Sequence, residues 1–409
     1  MKANSEPIEK HIHDLSEFTA TPGQGVTRLT YSKEDLQARN FIKEKMKEYG
    51  LDVREDGLGN ISGKLEGTKK DAPSVLVGSH FDSVPHGGAY DGTGGVVAGL
   101  EVAALFQENN LTPTYPLEII AMIEEEGTRF GGGLMGSRGI TGTTDEAELN
   151  QTKDKDGISV AEAMRDNELD PTLPKKRDPQ TIRAFLEMHI EQGPILEEKD
   201  ISIGVVESIV GLTQLEVTIE GQAGHAGTTP MDRRLDALDT AANIITNLPA
   251  IAKEEGEGTV ITVGRHEVFP NGANVIPEKV VFSVDIRSGK EEHMQNAIQK
   301  TKEIIASFDG QGIHTSIEQP LYMQPKALNQ DIHSLLKESC NQLDISSLTM
   351  NSGAGHDAMV FADVTDVGLI FVPSKDGISH SPEEWTNAKD LANGVDVLYN
   401  TAKKLTEAT

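Results

Sequence analysis

Two short apolar runs, each ending in a knot of titratable side chains, constrain this chain more than any other feature. Val75-Leu76-Val77-Gly78 is continuously apolar and leads straight into Ser79-His80-Phe81-Asp82. Leu117-Glu118-Ile119-Ile120-Ala121-Met122-Ile123 leads in the same way into Glu124-Glu125-Glu126-Gly127. Both runs read as buried strands. Between them, residues 93–108 carry Val96, Val97, Leu100, Val102, Ala103 and Leu105 and read as a helix packed on those strands. Strand, helix, strand predicts an α/β sheet, largely parallel. In such sheets chemistry gathers outside the carboxyl ends of the strands, which is where both knots fall.

At 409 residues the chain exceeds the size at which one hydrophobic core usually keeps growing, so two domains are expected. A formal charge of −28 repels phosphates and argues against nucleic acid or an anionic membrane as partner. An anionic substrate would need a local positive group to offset that field. Cys340 is the only cysteine, which rules out an intramolecular disulfide and a cysteine-built zinc site. It falls in a predicted helix and reads as a small buried residue. Residues 1–6 show no apolar signal core, and no apolar run approaches the roughly 20 residues of a membrane span. The cytoplasm is the expected location.

Helical spacing of Leu36, Phe41, Ile42, Met46 and Tyr49 predicts a helix over 34–49, with Gly50 as its stop. Residues 143–182, including Asp154-Lys155-Asp156-Gly157 and Pro174-Lys175-Lys176-Arg177, read as a solvated surface connection with one short helix. Near residue 210 the pattern changes to the polar–apolar alternation of a half-exposed strand, clearest in 214–220. A helix at 233–255, strands at 259–265 and 279–287, a helix at 291–308 and a strand at 312–318 follow. This β-α-β-β-α-β order resembles a ferredoxin-like α+β sandwich. The expected boundaries are a catalytic domain over 1–210 and 323–409, interrupted by an inserted domain over 211–322.

Five stretches offer side chains that together can cage two metal ions. Besides the two strand-end knots they are Tyr90-Asp91-Gly92, Glu187-Met188-His189 and Ser379-His380-Ser381-Pro382. Imidazoles and carboxylates without thiolates suit Zn, Mn, Co or Ni. In His80-Phe81-Asp82 the economical reading makes His80 a ligand and Asp82 the partner that fixes its tautomer. A surface histidine is the plain alternative for that triplet alone. Asp91 sits in a glycine-rich loop before a helix, where a carboxylate can bridge two cations. The same glycines suggest a phosphate loop, but the P-loop lysine and the dinucleotide spacing are both absent. Three adjacent carboxylates after a buried strand repel one another unless cations compensate them, and one could then act as general base. Alternation places Glu187, His189 and Glu191 on one face of a strand.

Taken together, these motifs resemble the amidase/hydantoinase/carbamoylase family of dinuclear metallohydrolases. The likeness runs from Gly25-Val26-Thr27-Arg28-Leu29 to Ser379-His380-Ser381-Pro382 and is most specific in 78–95, Glu124 to Phe130, His189 to Pro194, and Gly224 to Pro230. It implies a dinuclear aminopeptidase/carboxypeptidase-like α/β catalytic domain with an inserted lid and dimerisation domain. It implies two divalent ions per subunit, held by His80, Asp91, Glu126, His189 and His380, with Asp91 bridging. Glu125 then matches the general base and Asp82 the partner of His80. His225, in Gly224-His225-Ala226-Gly227, matches a histidine that reaches the other subunit of a homodimer to polarise the scissile carbonyl. Asn274 and Arg287 match substrate-binding positions, and Gln192 and Gln214 are further candidates. An arginine at a strand end suits bidentate capture of a carboxylate. Arg287 could equally pair with Asp285, and His225 could cap a turn. The implied substrates are ureido compounds, N-carbamoyl-L-amino acids or allantoate, with an aminoacylase or dipeptidase as the rival activity.

Overall fold

The computed structural model describes residues 2–172, 176–256 and 258–407, so Pro174 and Lys175 of the charged stretch lie outside the described residues. The chain divides into two compact units. The first comprises Met1–Glu207, Leu328–Met350 and His356–Thr409, and the second Ser208–Ala327 and Asn351–Gly355.

In the first unit the two apolar runs are the strands Ser74–His80 and Leu117–Met122, every residue of both buried. They pair in parallel, with Val75 opposite Leu117 and His80 opposite Met122. Ile182–Ile190 lies parallel on the other side of Ser74–His80, and Val367–Val372 lies parallel beside that, with Phe371 opposite His189. The carboxyl ends of adjacent strands therefore deliver His80, the glutamate triplet and His189 to one edge. The sheet is mixed, which corrects the expectation of a largely parallel one: Asp52–Glu55, Ile61–Leu65 and Ile203–Ile209 join it antiparallel. Parallel pairing is confined to the centre, where both faces are covered and the strands can be apolar throughout.

The helix Thr93–Glu108 packs against that centre and is buried along almost its whole length. Gly95 makes this close approach possible, since a Cβ there would meet the Met188 carbonyl oxygen at 2.2 Å. Other helices depart from their sequence reading. Lys33–Glu48 starts one residue early because the Ser32 side chain caps it, accepting from the Asp35 amide. Its Leu36 is exposed, while Asp35 and Arg39 take buried places. Among the described residues of 143–182 there are two α-helices, Glu146–Gln151 and Val160–Asp166, where one is expected. That stretch is also less solvated than its charge suggests. Arg177 donates to both carboxylate oxygens of the buried Glu118, and Asp154 accepts from Arg129. Cys340 is buried in the helix Gln330–Leu343, its thiol pushed up to about 11 by burial.

The second unit is built on a four-stranded antiparallel sheet in the order His314–Met323, Gly211–Glu220, Lys279–Ser288, Val260–Phe269. Burial alternates along the two central strands, so that Leu215, Val217, Ile219, Val280, Phe282, Val284 and Ile286 share one face. The helices Ala237–Glu255 and Glu291–Ser307 cover it with Ala241, Ile244, Leu248, Met294, Ile298 and Ile305. Each such side chain contributes roughly 1.5–3 kcal/mol on leaving water. The first helix starts at Ala237, four residues later than expected, because Asp236 caps it through the amides of Leu238 and Asp239.

Candidate metal centre

Two clusters of three side chains meet at one carboxylate. His80, Asp91 and His189 bring ligand atoms within 4.8 Å of one another, and so do Asp91, Glu126 and His380. Asp91 Oδ1 lies 3.1 Å from His189 Nε2 and 3.5 Å from His80 Nε2, while Oδ2 lies 3.1 Å from His380 Nε2. The two oxygens thus face different histidines, the disposition a bridging carboxylate needs.

The hydrogen bonds around the rings decide which atoms face the centre. His189 Nδ1 is 2.9 Å from the Ile190 carbonyl oxygen, which can only accept, so this nitrogen carries the proton. Its Nε2 is left with a lone pair, consistent with the Gly92 amide donating to it at 3.2 Å. His80 Nδ1 points at the Asp82 carbonyl at 3.3 Å and at its carboxylate at 3.5 Å, which leaves Nε2 bare as well. The two bare nitrogens sit 3.5 Å apart and share the Asp91 oxygen. Three acceptors converging in a buried place call for a cation between them. Glu126 Oε1 makes the same point in the second cluster, being buried without a hydrogen-bond partner 3.5 Å from His380 Nε2. Imidazole and carboxylate donors in two clusters with a shared oxygen ligand fit divalent Zn, Mn, Co or Ni.

Without such cations the charges distort one another strongly. Burial alone would depress His80, but Glu125, Asp82 and Asp91 hold it well above its ordinary value. Burial would raise Asp91, yet bonds to His189, His380 and His80 keep it well below the usual carboxylate range. Glu126 is pushed up to about 7 by burial and then by the charge of Asp91. His380 is raised to about 9 chiefly by its bond to Asp91.

The glutamate triplet divides its labour. Glu126 belongs to a cluster. Glu125 belongs to neither, yet its Oε2 is 3.8 Å from His80 Nε2, and burial raises it well above the carboxylate range. Glu124 turns away at φ 51° and accepts from the Phe130 amide at 2.9 Å, so it closes the loop. Asp82 does more than orient His80. Its two oxygens accept the backbone amides of Glu125 and Glu126, at 3.0 and 3.2 Å, and fix where both side chains start. Gly92, at φ 60°, leaves room for the His80 ring, because a Cβ would stand 2.3 Å from it.

Gln192 reaches this cluster, donating to Asp91 Oδ2 at 2.9 Å. Glu191 corrects its sequence reading: it lies beyond the strand and caps the helix Ile195–Glu198 by accepting the amides of Ile195 and Leu196. Glu187 is fully buried and accepts from Ser79 Oγ and the Ala358 amide. The remaining predicted residues lie in the second unit. His225 is exposed, its Nδ1 accepting from the Gly227 amide, and Asn274 accepts the Ala226 amide through its carbonyl. Arg287 donates to Asp285 Oδ1 at 2.9 Å and to the Gly353 carbonyl at 3.0 Å. It shares a cavity of about 670 Å³ with Gln214, Arg265 and Ser283.

Sequence reasoning misses Glu384 and Ser379. Glu384 is buried and accepts the amides of Tyr90 and Asp91 at 2.9 and 3.0 Å, while Ser379 Oγ donates to Glu384 at 2.8 Å and contacts Asp91 at 3.2 Å. The only signal for either is adjacency to His380.

The chain is 44% identical over 407 residues to the N-carbamoyl-L-amino-acid amidohydrolase of Paenarthrobacter aurescens, covering 99% of this chain and 98% of that one. It is 38% identical to the allantoate amidohydrolase of Escherichia coli, with 96% of each chain covered. A crystal structure of an amidase of the hydantoinase/carbamoylase family from Burkholderia multivorans superimposes with a TM-score of 0.92 at 32% identity, covering 99% of this chain and 98% of that one. Residues 76–404 match the peptidase family M20/M25/M40, and the chain belongs to that family.

Proposed function

We propose that the protein is a metal-dependent amidohydrolase that cleaves the carbamoyl C–N bond of N-carbamoyl-L-amino acids. The observation that carries this reading is the pair of three-residue clusters sharing Asp91, with Glu125 beside them and outside both. Similarity to relatives named for this activity, at 40 to 44% identity over 407 residues, supports the substrate class.

His80, Asp91 and His189 would hold one divalent ion, Asp91, Glu126 and His380 a second, and Zn, Mn, Co or Ni all suit these donors. When bound, such ions supply Lewis acidity, lowering the pKa of water at the site and polarising the scissile carbonyl. Glu125 takes a proton from the water as its oxygen attacks the ureido carbon, and passes it to the leaving nitrogen as the C–N bond breaks. One water is consumed: breaking the first C–N bond leaves a carbamic acid, whose remaining C–N bond then breaks with loss of carbon dioxide, so that the free amino acid, ammonia and carbon dioxide leave. Asp82 keeps Glu125 in place by holding its amide.

The second unit serves in this reading as a ferredoxin-like lid and dimerisation domain, its β-α-β-β-α-β order being the support. His225 polarises the carbonyl in the partner subunit of a homodimer. Arg287 and Asn274, with Gln192 and Gln214, bind the substrate, and Arg287 exchanges Asp285 for the substrate carboxylate. A cytoplasmic location completes the proposal. The second reading is an allantoate amidohydrolase, supported by similarity to proteins of that name in Escherichia coli and Bacillus subtilis.

The test is ammonia release after dialysis against Mn, Co, Ni or Zn. The substrates are N-carbamoyl-L-amino acids with a D-enantiomer control, allantoate, N-acetyl amino acids and dipeptides. Ammonia from an N-carbamoyl-L-amino acid, lost in Glu125→Gln, is expected. Turnover of allantoate alone would establish the second reading. Turnover of acetyl or peptide substrates alone would replace both with an aminoacylase or dipeptidase.

A further inference from the structure

A cavity of about 720 Å³ opens in the first unit, between the helix Ser5–Ser16 and the loops that carry Tyr90 and Trp385. That volume is in the range of small-molecule sites, roughly 300–1,000 Å³. None of the five candidate metal-binding side chains lines it. Its chemistry is one-sided. Among the described residues, Glu9, Glu17 and Glu384 are in its wall, no lysine or arginine is, and His13 is the one lining side chain able to carry positive charge. Two aromatic rings make a corner there, Tyr90 and Trp385, with centroids 5.5 Å apart and planes at 72°. Trp385 is 46% exposed, an unusual exposure for so large an apolar surface. Ile12, Val26 and Leu391 supply an apolar floor.

We propose that this cavity is a second ligand site, which takes a small organic cation with an apolar body, an amine or quaternary ammonium, and couples its occupancy to Asp91 through Glu384. Aromatic faces attract such cations, and carboxylates without competing bases add to the attraction. An anion would meet three carboxylates, with His13 as its one basic partner among the lining side chains. Glu384 is the link because it faces both ways. It lines the cavity, yet its oxygens are committed to the Tyr90 and Asp91 amides and to Ser379 Oγ, which itself contacts Asp91. A ligand pressing on Tyr90 and Trp385 therefore acts on the backbone that places the shared carboxylate. Coupling of this kind is reciprocal, so metal at Asp91 must alter cation affinity by the factor with which the cation alters metal affinity.

Trp385 is the sole tryptophan, so intrinsic fluorescence of the full-length protein reports the cavity directly. The probes are choline and benzylammonium, with 3,3-dimethylbutan-1-ol and benzyl alcohol as neutral isosteres, titrated into manganese-loaded and EDTA-stripped protein. At least one cation should give a saturable change at concentrations below about 10 mM. Its neutral isostere should bind at least about threefold more weakly. The double variant Glu9→Gln/Glu17→Gln, altered only at exposed positions, should weaken the cation and leave the alcohol unchanged. Absence of saturation for both cations, equal binding of the isosteres, or wild-type affinity in the double variant would each overturn the site. Manganese should shift the cation Kd by about fivefold or more. Equal Kd values in loaded and stripped protein would overturn the coupling to Asp91. None of these readouts depends on which substrate the enzyme turns over.

Discussion

The two units treat polar side chains in opposite ways. At the candidate centre of the first unit, His80, Asp91, Glu126 and His189 have 2 to 8% of their side-chain surface exposed, and they converge on one another and on His380. In the second unit His225, Asn274 and Gln214 are exposed, and Arg287 is satisfied by Asp285 two positions away. Burial makes the first set rigid but electrostatically strained, a condition that a cation relieves. The second set is open to solvent or paired locally and needs no ligand to be stable. The candidate centre is also graded, because His380 keeps half its surface exposed while His80 and His189 are enclosed.

Asp91→Asn should show the largest effect, since one oxygen serves each cluster. We expect kcat to fall by at least about 10⁴-fold and bound metal to drop at both sites, measured by steady-state kinetics and mass spectrometry of metal content. Retention of both metals would break the picture of a shared carboxylate. His380→Ala is the contrast, expected to release one equivalent and retain the enclosed one. Next comes Glu125→Gln, which belongs to neither cluster. Its kcat should fall roughly 10²- to 10⁴-fold with metal content unchanged. Loss of metal in that variant would move Glu125 from base to ligand.

Arg287→Lys probes the second region. A lysine keeps the charge and loses the fork, so the bidentate hold on a carboxylate goes. KM should rise by roughly 10- to 100-fold, equivalent to about 1.5–3 kcal/mol, with kcat and metal content little changed. A fall in kcat with unaltered KM would show that this region takes part in chemistry.

The parts of the fold legible in the sequence are those where burial dictates composition. Ser74–His80 and Leu117–Met122 must be apolar because both faces are covered, so their ends, and the motifs placed there, can be read. Period-two alternation marks Lys279–Ser288 just as plainly. The antiparallel flanks of the first sheet carry no such signature, since pairing direction is a backbone property. The same limit hides the supports of the candidate centre. Asp82 and Glu384 act by accepting backbone amides, and every residue has one, so no residue type at the other end betrays the contact. Leu36 and Asp35 fail for another reason. Helical spacing says which residues share a face, and tertiary packing decided that the face bearing Asp35 and Arg39 is the buried one.

That buried pair gives the smallest effect and tests whether strain in the first unit extends beyond the metal cluster. Asp35 and Arg39 are both enclosed, their charged groups 3.0 Å apart but poorly aligned for a hydrogen bond. Burial first, against the opposing charge of Arg39, lifts Asp35 from 3.8 to about 6. Its neutral form is thus favoured by folding, and the sign follows. The contribution is fully present below the unfolded value and is lost as pH rises through about 6. Between those two values the wild-type protein should lose up to about 3 kcal/mol relative to Asp35→Asn, which has no proton to release. Thermal unfolding of both proteins between pH 4.5 and 7 would show it as a Tm gap that changes with pH in the wild type's disfavour. A gap that stays constant would mean that the ion pair with Arg39 fully compensates the burial, and that the strain is confined to the strand ends.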